Sequence, residues 1–145
     1  MKLAEILDLW DKDSKINFTP LEILEDAGNV HKLQAKYLRI YTSERQIKRA
    51  LEREMKTLAF KKFEFYFEGP SSDTPKDWDF PARGKILKSD VPLYVDADKH
   101  ILELQAKIDL ATEKVEALAH ILDSIKYRGN VLNGIMQHQR WTGGG

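Results

Sequence analysis

Apolar residues recur every three or four positions along two long stretches of this 145-residue chain, separated by a Pro- and Gly-rich interval. In the first stretch Val30, Leu33, Tyr37, Ile40, Ile47, Leu51, Met55 and Leu58 keep helical spacing. Thr19-Pro20-Leu21-Glu22 supplies a start, with a capping Thr, Pro at the first helical position, and Thr19 and Glu22 at capping-box spacing. No further Pro occurs until Pro70, and Gly28 is the one glycine before Gly69. The pattern predicts one helix over about 20–68, or two with a break near Gly28. A single straight helix would run about 70 Å at 1.5 Å per residue.

In the second stretch Asp96-Ala97-Asp98 offers caps for a helix over about 97–138. Its seam runs through Ile101, Leu104, Ile108, Ala111, Val115, Leu118, Leu122, Ile125, Gly129, Leu132 and Met136, alternating steps of three and four over five heptads. A second stripe, Leu110, Ala117, Ile121, Val131 and Ile135, faces elsewhere. Two apolar faces predict two packing partners. One is the first helix, folded back as a hairpin; the other is a neighbouring subunit. Ile101, Leu104, Ile108, Val115, Leu118, Leu122, Ile125 and Leu132 are assigned to oligomerisation.

The remainder is shorter. Leu3–Trp10 is amphipathic within an N-terminal segment, 1–18. Between the helices, Gly69, Pro70, Pro75, Pro81, Gly84 and Pro92 interrupt any helix, and Ser71-Ser72-Asp73-Thr74 is loop chemistry. Lys85–Lys88 and Leu93–Val95 read as short extended pieces. Trp141–Gly145 reads as a frayed tail. The expected fold is therefore all-α and single-domain: two long helices in a hairpin around an irregular excursion (69–96), assembling into a helical ring or barrel.

Charge changes this picture. The chain carries 23 basic and 23 acidic residues, a net charge of zero. Yet Lys32–Lys62 holds ten Lys or Arg against three acids, a local +7, while residues 1–30 carry −4 and 63–100 carry −3. Overall neutrality argues against a general polyanion binder and for a localised patch. Arg45, Lys48, Arg49, Arg53 and Lys56 form a stripe leading into Lys61, Lys62 and a run with five aromatics in eight residues, Phe60 to Phe67. Cations hold phosphates and aromatic faces accept unstacked bases, so the pairing suits single-stranded nucleic acid. In this reading Lys61 and Lys62 hold phosphates, Tyr66 or Phe67 stacks bases, and Phe60 and Phe63 pack. The competing reading is a solvated helix surface with pairs such as Lys48–Glu52, and aromatics that serve an adaptor coiled coil. A helix-turn-helix repressor is a third, with little sequence left to build one.

Other chemistries find little support. Without cysteine there is no disulfide and no thiolate metal site. Glu116, His120 and Asp123 share a helical face, a spacing common on solvated surfaces. Neither a Gly-rich phosphate loop nor a nucleophile elbow is present. No apolar run approaches the roughly 20 residues of a membrane span, and the N-terminus lacks a signal peptide's basic start and apolar core. The expectation is a non-enzymatic intracellular protein without metal or cofactor.

Phe60-Lys61-Lys62-Phe63-Glu64-Phe65-Tyr66-Phe67-Glu68-Gly69 resembles the helical motif of the UvsY family of recombination mediators of T-even-like bacteriophages. That motif reads approximately Leu-Lys-Ala-Arg, two variable residues, Tyr-Tyr, one variable residue, Gly. Lys61, Tyr66 and Gly69 match and Phe67 substitutes conservatively, whereas Phe63 stands where the family has a DNA-contacting arginine. Asn29-Val30, Ala97-Asp98-Lys99, Ile125-Lys126 and Arg128-Gly129 extend the similarity over about 24–138. The resemblance implies an all-helical ring of six or seven subunits, assembled through the C-terminal region. It also implies sequence-independent binding of single-stranded DNA, and contacts with a RecA-like phage recombinase and the phage single-stranded-DNA-binding protein. The implied setting is the cytoplasm of the infected bacterial host.

Overall fold

The computed structural model describes residues 1–15, 20–82 and 84–142, the side chains of 20–24, 26 and 139 excepted. The predicted cap at Thr19, the side chain of Glu22 and the tail Gly143–Gly145 lie outside what is described. The element order is α1 (Leu3–Asp13), α2 (Pro20–Glu68), a 3-10 turn (Lys88–Asp90), α3 (Val91–Asp96) and α4 (Lys99–Thr142). Among the described residues there is no strand, so the fold is all-α.

Helix α2 passes through Gly28 unbroken. A mid-helix glycine costs about 1 kcal/mol relative to alanine, a cost that the packing of Val30, Leu33 and Tyr37 just beyond it offsets. The helix stops where its chemistry changes. Gly69 adopts φ +87° and donates its N–H to the Phe65 carbonyl at 2.9 Å, and Pro70 follows. Two expectations need correction. Leu93–Val95 is helical, because Pro92 sits in the first turn of α3, where its missing N–H is harmless. Helix α4 also extends through Trp141 and Thr142 rather than fraying.

The chain divides into two compact units, each with its own core. The first comprises residues 1–46 and 111–145. There Ile6 of α1, Tyr37 of α2 and Leu118, Ile121 and Ile125 of α4 form the buried cluster, flanked by Leu9, Trp10, Val30, Leu33 and Ile40. Trp10 meets Tyr37 edge to face at 5.4 Å. The Tyr37 hydroxyl donates to Asp13 Oδ2 at 2.9 Å, and Lys36 Nζ lies 2.6 Å from the same oxygen.

The second unit comprises residues 47–110. Its core joins Met55, Leu58, Phe65 and Tyr66 of α2 to Val91 and Val95 of α3, Ile101 of α4, and Trp78, Phe80 and Ile86. The excursion between the long helices thus feeds the core twice, from its irregular part through Trp78, Phe80 and Ile86 and from α3 through Val91 and Val95.

The seam of α4 packs inside the chain, which corrects its assignment to oligomerisation. Ile101, Leu104, Ile108, Leu118, Ile125 and Leu132 are buried without any second subunit, and Val115 and Leu122 are half-buried. A heptad pattern specifies an apolar partner but not which chain provides it.

Candidate nucleic-acid interface

Within the second unit, Arg49, Arg53, Lys56, Phe60, Phe63 and Phe67 follow one another on α2 by steps of four, three, four, three and four. They share one helical face, and all six are exposed. Phe60 is 64% exposed, and Phe63 and Phe67 stack on each other at 5.8 Å with planes 16° apart. Lys88 Nζ lies 5.1 Å from the Phe67 ring centroid, adding a cation from outside the helix. Three cations thus run into three solvated rings along about five turns of helix.

The opposite face belongs to the core. The apolar register through Leu51, Met55 and Leu58 continues at 62 and 65, so Lys62 enters the interior and is 1% exposed. Its Nζ lies 3.1 Å from Asp98 Oδ2, 3.0 Å from His100 Nδ1 and 3.8 Å from the Trp78 ring centroid. An ammonium only donates, so Nδ1 accepts and the His100 proton sits on Nε2, 3.0 Å from Asp77 Oδ2. Tyr66 donates its hydroxyl to Asp98 Oδ2 at 2.6 Å. Asp98 Oδ1 in turn accepts the backbone N–H groups of His100 (2.8 Å) and Ile101 (3.1 Å), capping α4. Burial pushes the Asp98 carboxyl up, but hydrogen bonds from Tyr66, Lys62 and the Ile101 amide outweigh it and hold the pKa below 3.8. Burial first, and then the Asp98 carboxylate, pushes the Tyr66 phenol above its ordinary 10.0.

Lys62 and Tyr66 therefore do not present themselves to a strand, a correction to their assignment as DNA contacts. Burying an ammonium is costly unless it is paired, and this one has its pair. The expectation for Phe60 and Phe63 is likewise reversed: both are exposed. Phe65 is buried instead, meeting Trp78 at 5.4 Å and Phe80 at 5.6 Å. The available sequence signal was the helical continuation Met55, Leu58, 62, 65, which passes through a lysine. Of the remaining assigned residues, Lys61 is exposed on a cleft of about 360 Å³ shared with Glu64, Glu68 and Asp73, which offset its charge. Lys48 is half-buried. Arg45 belongs to the first unit, where its guanidinium lies 5.4 Å from the Tyr41 ring centroid. Among the described residues no three His, Cys, Asp or Glu side chains, Glu116, His120 and Asp123 included, form a group that could hold a metal. No described helix is long and apolar enough to cross a membrane.

Residues 9–145 match the family model described as "Recombination, repair and ssDNA binding protein UvsY". The chain belongs to the UvsY family. Crystal structures of the bacteriophage T4 recombination mediator protein UvsY share its fold. One superposes with a TM-score of 0.82 at 20% identity over 99% of both chains. Another, in a second lattice, gives 0.78 at 19% identity over 95% of this chain and 98% of that one. No curated protein sequence matches the chain. Within the UvsY motif the matched positions do different work here: Lys61 is exposed, Tyr66 anchors the core, and Gly69 ends the helix.

Proposed function

We propose that this UvsY-family chain is a recombination mediator that holds single-stranded DNA on the exposed face of α2 in the second unit. Arg49, Arg53 and Lys56 take phosphates, and Phe60, Phe63 and Phe67 stack bases without reading sequence. The supporting observation is that the rings adjoining the cations face solvent, whereas Phe65 and Tyr66 fill the core. Three exposed phenylalanines on one face are costly in water unless a ligand covers them. The proposed role involves no covalent step. Its proposed partners are a RecA-like recombinase and the single-stranded-DNA-binding protein it displaces, in the cytoplasm of the infected host. A ring of six or seven subunits would use surfaces other than the α4 seam, such as exposed Leu102 and Leu110. It would multiply weak sites along one strand.

The test is affinity for an unstructured oligonucleotide across a salt series. Arg49→Ala, Arg53→Ala and Lys56→Ala together should lower the slope of log affinity against log salt by about 2, at roughly 0.7 per phosphate on a single strand. An unchanged slope in a folded triple variant would remove these residues from the site.

A further inference from the structure

The first unit contains a basic cleft that the α2 face does not use. It has a volume of about 270 Å³ and is lined by Asp13, Lys15, Asn29, Lys32, Leu33, Lys36 and Arg128. Asp13 is the single carboxylate among these, and Lys36 already contacts it at 2.6 Å. The cleft is also built rather than incidental. Arg128, 7% exposed, donates Nη1 to the Asp13 carbonyl at 3.2 Å and Nη2 to the Lys15 carbonyl at 3.0 Å. That guanidinium ties the backbone carrying Lys15 to α4, while Lys36 and Tyr37, which hold the Asp13 carboxylate, set it beside α2, the helix that carries Lys32. Asn29 adds an amide, able to donate without charge.

We infer that this cleft is a second phosphodiester-binding site for single-stranded DNA, with Lys15 and Lys32 as the phosphate ligands and Arg128 as the positioning residue. A phosphodiester is an anion with several acceptor oxygens. Two exposed ammonium groups and an amide around a recess satisfy it better than a flat surface does. The inference rests on the proposed strand-binding role and extends it to residues outside the helical motif. It assigns part of the Lys32–Lys62 charge excess, which the α2 face leaves unexplained.

The test compares the full chain with Lys15→Glu/Lys32→Glu and with a charge-matched control, Lys76→Glu/Lys107→Glu. All four lysines are exposed, so thermal unfolding should be unchanged in both variants. The cleft variant should bind an unstructured oligonucleotide on the order of tenfold more weakly at low salt. Its log–log salt slope should drop by roughly 1.4, twice the 0.7 of one phosphate. The control should keep the parent slope. If the cleft variant keeps the parent slope while the parent binds DNA, the cleft is overturned and the α2 face stands. Equal losses in both variants also overturn it, as a general charge effect. A parent chain that does not bind the oligonucleotide overturns both. Should the double variant fold poorly, Lys32→Gln alone should still lower the slope, by about 0.7, and an unchanged slope overturns the site.

Discussion

The Tyr66 hydroxyl donates to Asp98 Oδ2 across 2.6 Å, tying the last turn of α2 to the residue that caps α4. Lys62 reaches the same oxygen at 3.1 Å, so one carboxylate secures a phenol, an ammonium and a helix start. Tyr66→Phe should cost about 1.5–3 kcal/mol, the range for a hydrogen bond to a charged group. Lys62→Ala should cost more, about 3–5 kcal/mol, because it leaves Asp98 buried without its cation. Denaturant unfolding measures both. Under folding conditions neither variant should change DNA affinity as Arg53→Ala does.

Acid and alkali should each weaken the fold through the same contacts. Asp98 and Asp13 are held below 3.8, so they release protons more readily folded than unfolded. Their stabilisation is present above 3.8 and is lost as pH falls through their folded values. Tyr66 and Tyr37 are raised above 10.0, so their contribution is present below 10.0 and fades as pH rises beyond it. Unfolding free energy should be level between about pH 5 and 9 as far as these groups are concerned, and should fall on both sides. Asp98→Asn should flatten the acid limb in a pH series of urea titrations. A steeper acid limb in that variant would contradict the assignment.

Removing the exposed rings should separate stacking from charge. Phe60→Ala with Phe67→Ala should weaken oligonucleotide binding by about 1–3 kcal/mol for each base that loses its platform. The salt slope should stay as in the parent, since no phosphate contact is lost. Stability should hold or rise slightly, because both side chains face water. A large loss of stability would place these rings in a packing role.

Leu118 of α4 is fully buried against α1 and α2, so Leu118→Ala should cost about 2–5 kcal/mol of stability. The loss should appear in unfolding of the isolated subunit, at concentrations where no assembly persists. If native mass fell while subunit stability held, the seam would belong to an interface between copies.

Much of the fold is legible because its causes are local. Gly69 and Pro70 end a helix wherever they occur together after an apolar stripe, and Asp98 caps α4 with a side chain two and three residues from the amides it accepts. The candidate site was legible only in composition. That cations adjoin aromatics is plain from residues 49–67, but which rings meet water is not, because Phe63 and Phe65 are chemically the same residue two positions apart.

In the sequence alone, apolar spacing determined an all-α chain with two long helices and the heptad register of α4. Caps, Gly and Pro set the helices' approximate ends, and the spacing of its cations set the basic stripe of α2. These depend on neighbours within a few residues. Only the tertiary structure decided that the seam closes within the chain, that Trp78 and Phe80 return to cover Phe65 and that Lys62 goes inward. Those outcomes depend on segments far apart in sequence that meet once the chain has folded. A lysine on an apolar register is buried only if a distant carboxylate arrives to pair with it, and here Asp98 does.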